Sequence, residues 1–490
     1  MLSRRQFLIA APLCATLTAA PSAPAPYGAL PSKRQLSWHE LELYAFLHFT
    51  INTFTDKEWG YGDEDPSLFH PTQFDADAIV SELKAGGMRA VILTCKHHDG
   101  FCLWPTKTTE HSVRASKWRD GQGDVVKAVS DAARRQGLKF GVYLSPWDRN
   151  NALYGRPEYI RVYREQLREL LTQYGPIYEV WHDGANGGDG YYGGAREKRL
   201  IDKRTYYDWP TTWELVRSLQ PGAVIFSDVG PDIRWVGNER GYASETCWET
   251  YDPVAPDGGA PAPGFVRDKE GQTGTRNGSR WLPPECDVSI RPGWFWHAAE
   301  DARVKTPRQL LDLYYRSAGR GGSLLLNVPP DRRGLLHEND VASLRGFGKL
   351  LRETFRENLA ATAKINASNV RGNQSAFGPR KLLDGDRTTY WSTDDSVKTA
   401  EVEITLPAEA TFNVVRLREY IQPGQRVEAF ELDRWAGVAW DTFARGTSIG
   451  ACRLIRTQED VTTARVRLRI TQSPVCPALS DFGLFLEAKP

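Results

Sequence analysis

Ala90-Val91-Ile92-Leu93 is a short, unbroken apolar run within a strand that reads from Ala90 to Thr94, and Lys96-His97-His98-Asp99-Gly100-Phe101 follows it almost at once. A run of this kind fits a strand buried on both faces, as in a parallel sheet. The cluster behind it is dense in groups that can bind or react. The same juxtaposition recurs along the chain. Leu43 to Phe49 reads as a strand whose end carries His48-Phe49-Thr50-Ile51-Asn52-Thr53-Phe54, with Glu58-Trp59 close behind. Ile177 to Trp181 leads into Trp181-His182-Asp183-Gly184-Ala185-Asn186-Gly187, and Val224 to Ser227 precedes Gly230-Pro231-Asp232-Ile233-Arg234-Trp235-Val236-Gly237-Asn238-Glu239. Lys139 to Leu144 and Ser323 to Val328 are further strands.

Amphipathic helices are predicted between them. They span 75–85 before Gly86-Gly87, 124–135 before Gly137, 158–174 between Pro157 and Gly175, 212–219 before Pro221-Gly222, and 307–317. Strand–helix alternation argues for a parallel sheet with crossover helices. An open doubly wound sheet is the rival, but no Gly-rich phosphate loop follows the first strand. The α/β class expected is therefore a TIM-like (β/α)8 barrel over 26–356, with its site among the residues that follow the strands. Trp248 to Trp281, rich in Gly, Pro and Asp, reads as a long loop over the barrel mouth. Beyond about residue 357 the pattern becomes short alternating segments, at 400–406, 413–417, 429–433 and 465–471. An all-β sandwich over 357–490 is expected there.

Residues 1–25 read as a signal peptide. Ser3-Arg4-Arg5-Gln6-Phe7-Leu8 sets paired arginines before the apolar run Leu8 to Leu17, which resembles a twin-arginine signal and is too short to span a membrane. Export to the periplasm or medium is expected, with no membrane attachment once the signal is removed. Cys247/Cys286 and Cys452/Cys476 are candidate disulfides, although export of a folded protein favours free thiols. A net charge of +1 argues against nucleic acid as a partner. The sequence fixes no oligomeric state.

The clusters suit hydrolysis of a sugar linkage, which needs two carboxyl groups: one to attack or stabilise the anomeric carbon, one to protonate the leaving oxygen. Asp183 ends a strand between aromatic residues and glycines. A helix cap or loop carboxylate is the bland alternative. Glu239 lies in a polar loop, where a glutamate is usually just solvated. His97 and His98, with His48, Asp99 and Glu58 nearby, could hold a metal or could bind sugar hydroxyls as neutral imidazoles; residue chemistry alone leaves both open. The 16 Trp, 19 Tyr and 19 Phe fit stacking on a sugar's apolar face as well as a large core.

These motifs, in this order over residues 35–350, closely resemble glycoside hydrolase family 29, the α-L-fucosidases. Asp287-Val288-Ser289-Ile290-Arg291-Pro292-Gly293-Trp294 and Leu325-Leu326-Asn327-Val328-Pro329-Pro330 extend the match. The resemblance implies a retaining double displacement on a fucosylated oligosaccharide or glycoconjugate, without metal or other cofactor. It implies Asp183 as nucleophile and Glu239 as acid/base, with Glu245 and Glu249 as rivals for the latter. His48, His97, His98, Tyr143 and Trp181 would bind fucose hydroxyls, Glu58 and Trp59 would line the pocket, and Trp294 would stack on the sugar. The segments around Glu239 and Trp294 look like the subgroup acting on α1,3- and α1,4-linked fucose. Leu382 to Ser392 resembles a discoidin (factor V/VIII type C) sandwich. Another retaining barrel glycosidase, such as a β-galactosidase, and an inactive glycan-binding protein are the alternative readings.

Overall fold

In a computed structural model that describes residues 22–489, parallel strands close into a barrel. They are β1 (Leu43–Leu47), β2 (Ala90–Lys96), β3 (Lys139–Leu144), β4 (Glu179–Trp181), β5 (Val224–Ser227), β6 (Ile233–Trp235), β7 (Pro284–Ser289) and β8 (Ser323–Asn327). Each pairs with its neighbours in sequence, and β8 closes on β1 with Tyr44 opposite Leu325. The expected TIM-like class is the observed one. Residues 1–21 of the expected signal lie outside the described residues.

Side chains alternate across each strand. Tyr44, Phe46, Ile92, Tyr143, Trp181, Phe226 and Leu325 form a core inside the barrel. Ala45, Leu47, Val91, Leu93, Val142, Val180, Ile225 and Leu326 face the helices in a larger outer core. Helix Ala76–Ala85 starts where Asp75 accepts from Ala78 N–H at 3.0 Å. Helix Val125–Gln136 starts at Asp124 and ends at Gly137, whose φ of 78° gives a left-handed cap.

Two strands depart from the sequence reading. The stretch Gly230–Glu239 contains β6 itself, because only Asp228–Asp232 connects it to β5, with no helix between. β7 also went unmarked by hydropathy, since Glu285 and Asp287 sit on its inner face. The Trp248–Trp281 stretch is not all loop; it includes helix Asp268–Thr273.

The C-terminal region is an antiparallel sheet of β9 (Lys364–Ala367), β10 (Trp391–Ser392), β11 (Ala400–Glu419), β12 (Ala429–Trp435), β13 (Trp440–Gly446), β14 (Arg453–Gln472) and β15 (Ala478–Phe485). The segments expected at 400–406 and 413–417 are one strand. Its register shifts between Thr405 and Ala410, where Pro407 has no N–H to give the ladder. This region docks on the N-terminal rim of the barrel. Arg418 pairs with Glu42 at 2.6 Å just before β1, and Leu454 N–H donates to Gly319 O at 2.8 Å just before β8. Cys95, Cys102, Cys247, Cys286, Cys452 and Cys476 are all buried free thiols, so neither candidate pair is bridged.

Candidate active site

The two-residue period of the strands, carried past their ends, fills the opposite, C-terminal rim. Phe46 points inward, so His48 does too; Trp181 is followed by Asp183, Phe226 by Asp228, Glu285 by Asp287, and Leu325 by Asn327. On β2 the register shifts between Thr94 and Lys96. Lys96 turns outward to Asp148, Tyr159 and Gln166, at 3.0, 3.1 and 2.9 Å. The chain leaves the strand there, and His97 and His98 both reach the cavity instead of pointing opposite ways.

The cavity holds about 270 Å³, just under the roughly 300–1,000 Å³ of drug-sized sites, as suits a monosaccharide. His48, Trp59, His97, His98, Trp181, Asp183, Glu239 and Trp294 all line it. Asp183 Oδ1 accepts from Ala185 N–H at 2.7 Å and Oδ2 from the Tyr143 hydroxyl at 2.9 Å. His98 Nε2 lies 3.7 Å from Oδ2, a contact rather than a hydrogen bond. Tyr143 thus acts from beneath the cavity, on the carboxylate. Glu239 Oε2 accepts from Trp294 Nε1 at 3.3 Å.

Glu58, expected on the wall, stands behind it. Its carboxylate accepts from Trp294 N–H at 3.0 Å and Phe295 N–H at 3.2 Å, and His297 bridges it to Asp56 with 2.7 Å contacts on both sides. Burial disfavours protonation of His297, but Asp56 and Glu58 outweigh it and raise its pKa. The resulting clamp holds the loop that carries Trp294. Trp181 lies flat on Phe226, with ring centres 4.1 Å apart, and donates to Glu285 Oε1 at 2.6 Å.

Burial sets the protonation of the site. It lowers the His48 pKa to about 3, although Asn327 Oδ1 accepts from His48 Nδ1; His98 also falls to about 3, through burial and the charges of Arg149 and Lys96. His97 is pushed down by burial and its two histidine neighbours. All three are neutral near pH 7 and can both donate and accept. Burial raises the Asp183 pKa, opposed by the Ala185 and Tyr143 donors. Burial raises the Glu239 pKa too; Trp294 opposes it, while the charges of Asp183 and Glu58 add to it. Among the described residues, no group of three or more His, Cys, Asp or Glu is spaced to hold a metal ion.

Residues 27–354 match the family model described as alpha-L-fucosidase. The chain belongs to the α-L-fucosidase family. Residues 364–480 of this fucosidase match the F5/8 type C domain. Over 468 residues it is 42% identical to alpha-L-fucosidase 1 of Arabidopsis thaliana, covering 95% of this chain and 89% of the relative. A glycoside hydrolase 29 fucosidase of Ruminococcus gnavus, solved in complex with fucose, superposes with a TM-score of 0.85 at 32% identity, over 97% of this chain and 98% of that one. A family 29 structure from an unknown rumen bacterium gives 0.83 at 40% identity, over 95% and 78%.

The rival glutamates of the fucosidase lie elsewhere. Glu245 is exposed beside Arg320, and Glu249 is buried against Ala451 N–H of the C-terminal region. Sequence reasoning left Asp228, Trp235, Asp268 and Asp287 without roles, yet all four line the cavity. For Asp228 and Asp287, continuing the strand period by one more inward position would have found them. Arg234, inside the motif of Glu239, is scaffold: its guanidinium donates to Gly271 O and Trp248 O, both at 3.0 Å.

Proposed function

We propose that this α-L-fucosidase retains anomeric configuration and releases terminal α1,3- and α1,4-linked L-fucose from glycans by double displacement. The observation that carries the reading is the unequal treatment of two carboxyl groups in one cavity. Asp183 has a donor on each oxygen, which favours its anion. Burial and the negative charges of Asp183 and Glu58 favour the acid form of Glu239, against a single long bond from Trp294 Nε1. Asp183 attacks the anomeric carbon while Glu239 protonates the departing oxygen, leaving a fucosyl ester on Asp183. Glu239, now an anion, takes a proton from water, whose oxygen displaces Asp183 and restores the starting state.

The neutral imidazoles of His48, His97 and His98 bind fucose hydroxyls, and Trp294 covers the sugar's apolar face. Tyr143 and Glu58 position Asp183 and Trp294. The α1,3/α1,4 preference rests on the resemblance of the segments around Glu239 and Trp294 to that subgroup. Proton NMR of products from α1,2-, α1,3-, α1,4- and α1,6-linked fucosyl oligosaccharides tests both parts. α-Fucose should appear first, and only from α1,3 and α1,4 linkages; β-fucose appearing first would sink retention. Export by the twin-arginine segment is part of the same proposal, tested by sequencing the N-terminus of the mature protein.

A further inference from the structure

The segment 189–204 lies between Asp183 and Glu239. It folds as a hairpin of Gly188–Gly190 on Glu197–Arg199. The hairpin is anchored to the barrel: Arg199 Nη1 donates to Ala152 O at 2.8 Å, and Arg149 Nε donates to Asp189 O at 2.7 Å. Its downstream end delivers two cations to the long stretch beyond Glu239. Lys203 Nζ donates to Gly264 O at 2.9 Å. Arg204 Nε donates to Ala260 O at 2.9 Å, its Nη2 reaches Asp257 Oδ1 and Oδ2 at 2.6 and 2.5 Å, and its guanidinium covers the Phe265 ring at 4.5 Å.

The same stretch is held from the cavity side. Gly264 N–H donates to Asp228 Oδ2 at 2.6 Å. Gly264 has a φ of +75°, and a Cβ there would stand 2.0 Å from Gly184 O, so the chain lies directly on the strand end behind Asp183. Gly264, Val266 and Asp268 then line the cavity. A Cβ on Gly237 would meet Asp268 O at 1.8 Å, which places this wall against the loop of Glu239. The acid/base protonates the departing oxygen, so the part of this wall that lies against the loop of Glu239 is on the side from which the leaving sugar departs.

We infer that Lys203 and Arg204 are positioning residues that hold the 260–268 stretch as the leaving-group wall of the cavity and thereby set selectivity for the sugar to which fucose is attached. The inference rests on the proposed function. Neither side chain lines the cavity, and the exposed Arg204–Asp257 ion pair alone is worth little. Together they fix from outside a segment that Asp228 holds from within.

The test compares wild type with Lys203→Ala/Arg204→Ala on an aryl α-L-fucoside and on an α1,3/α1,4-fucosylated trisaccharide. Hydrogen exchange over residues 256–268 is read in parallel. The variant should raise KM for the trisaccharide roughly tenfold, as loss of positioning does. Its kcat/KM for the aryl fucoside should stay within about twofold of wild type, since uniform fucose binding is untouched. Exchange should quicken in 256–268. Arg204→Lys, which keeps the charge but loses the planar fork, should fall between. Equal losses on both substrates, or none on either, would overturn the inference. A wild type inactive on both would instead sink the proposed function, and trisaccharide binding by calorimetry would then carry the comparison.

Discussion

At the N-terminal rim, Glu42 is buried between Arg418 and Arg387; at the C-terminal rim, Asp183 and Glu239 share a cavity that no lysine or arginine of the described residues lines. Burial opposes ionisation at both ends. For Glu42 the arginine charges outweigh it and bring the pKa down to about 2. For Glu239 burial prevails, and Asp183 adds to it. One barrel thus treats buried carboxyl groups in two ways: counter-ions at one rim favour the charged form and fasten a domain, and at the other rim burial without counter-ions shifts the balance towards the neutral form. Glu249 is the exception. It lies at the domain contact, yet burial prevails over the Ala451 N–H and Arg234, and its pKa rises to about 8.

The comparison can be broken at several points. Asp183→Ala should lower kcat by roughly four orders of magnitude, because no attacking group remains, and azide should restore turnover as fucosyl azide. Glu239→Ala should cost roughly 10²–10³ on a substrate with a poor leaving group and much less on an activated aryl fucoside. Should Glu245→Ala or Glu249→Ala show that contrast instead, the assignment fails. At the other rim, Arg418→Ala leaves Glu42 buried without its nearest cation and should cost about 3–5 kcal/mol in denaturant unfolding, with kcat of the folded enzyme unchanged. The lost stability is of the kind present above the ordinary glutamate pKa and removed as pH falls towards 2.

Two smaller effects sharpen the contrast. Tyr143→Phe removes a donor that favours the Asp183 anion, so the acid limb of kcat/KM against pH should move to higher pH. An unmoved limb would show that Tyr143 does not tune Asp183. The raised pKa of Glu249 means that its neutral form fits the fold. Its contribution is complete below about pH 4.5 and is lost as pH rises through about 8. Glu249→Gln should therefore flatten the alkaline fall in melting temperature.

Strands such as β2 were legible because burial on both faces leaves an unbroken apolar run. β6 was hidden because it is three residues long and no helix separates it from β5. β7 was hidden because two of its inward residues are carboxylic: Glu285, inside the barrel against Tyr44 and Trp181, and Asp287, at the cavity. Helix Glu338–Thr354 went unmarked because Gly346 and Gly348 interrupt its pattern. Gly348 is required there, since a Cβ would lie 2.3 Å from Ala85 O. Most proposed site residues follow strands and were named from sequence. The roles of Tyr143 and Glu58 were not legible, because each acts through a partner distant in the chain, and only the fold brings them together. The wall formed by 264–268 depends on a loop path that no periodicity records.

Asp228 and Asp287 face the same cavity as Asp183, so locating the covalent bond is the most direct test. Incubation with a 2-deoxy-2-fluoro-fucosyl fluoride, followed by proteolysis and peptide mass mapping, should place one fluorofucosyl group on Asp183. A label on Asp228 or Asp287, or inhibition with no label at all, would contradict the account.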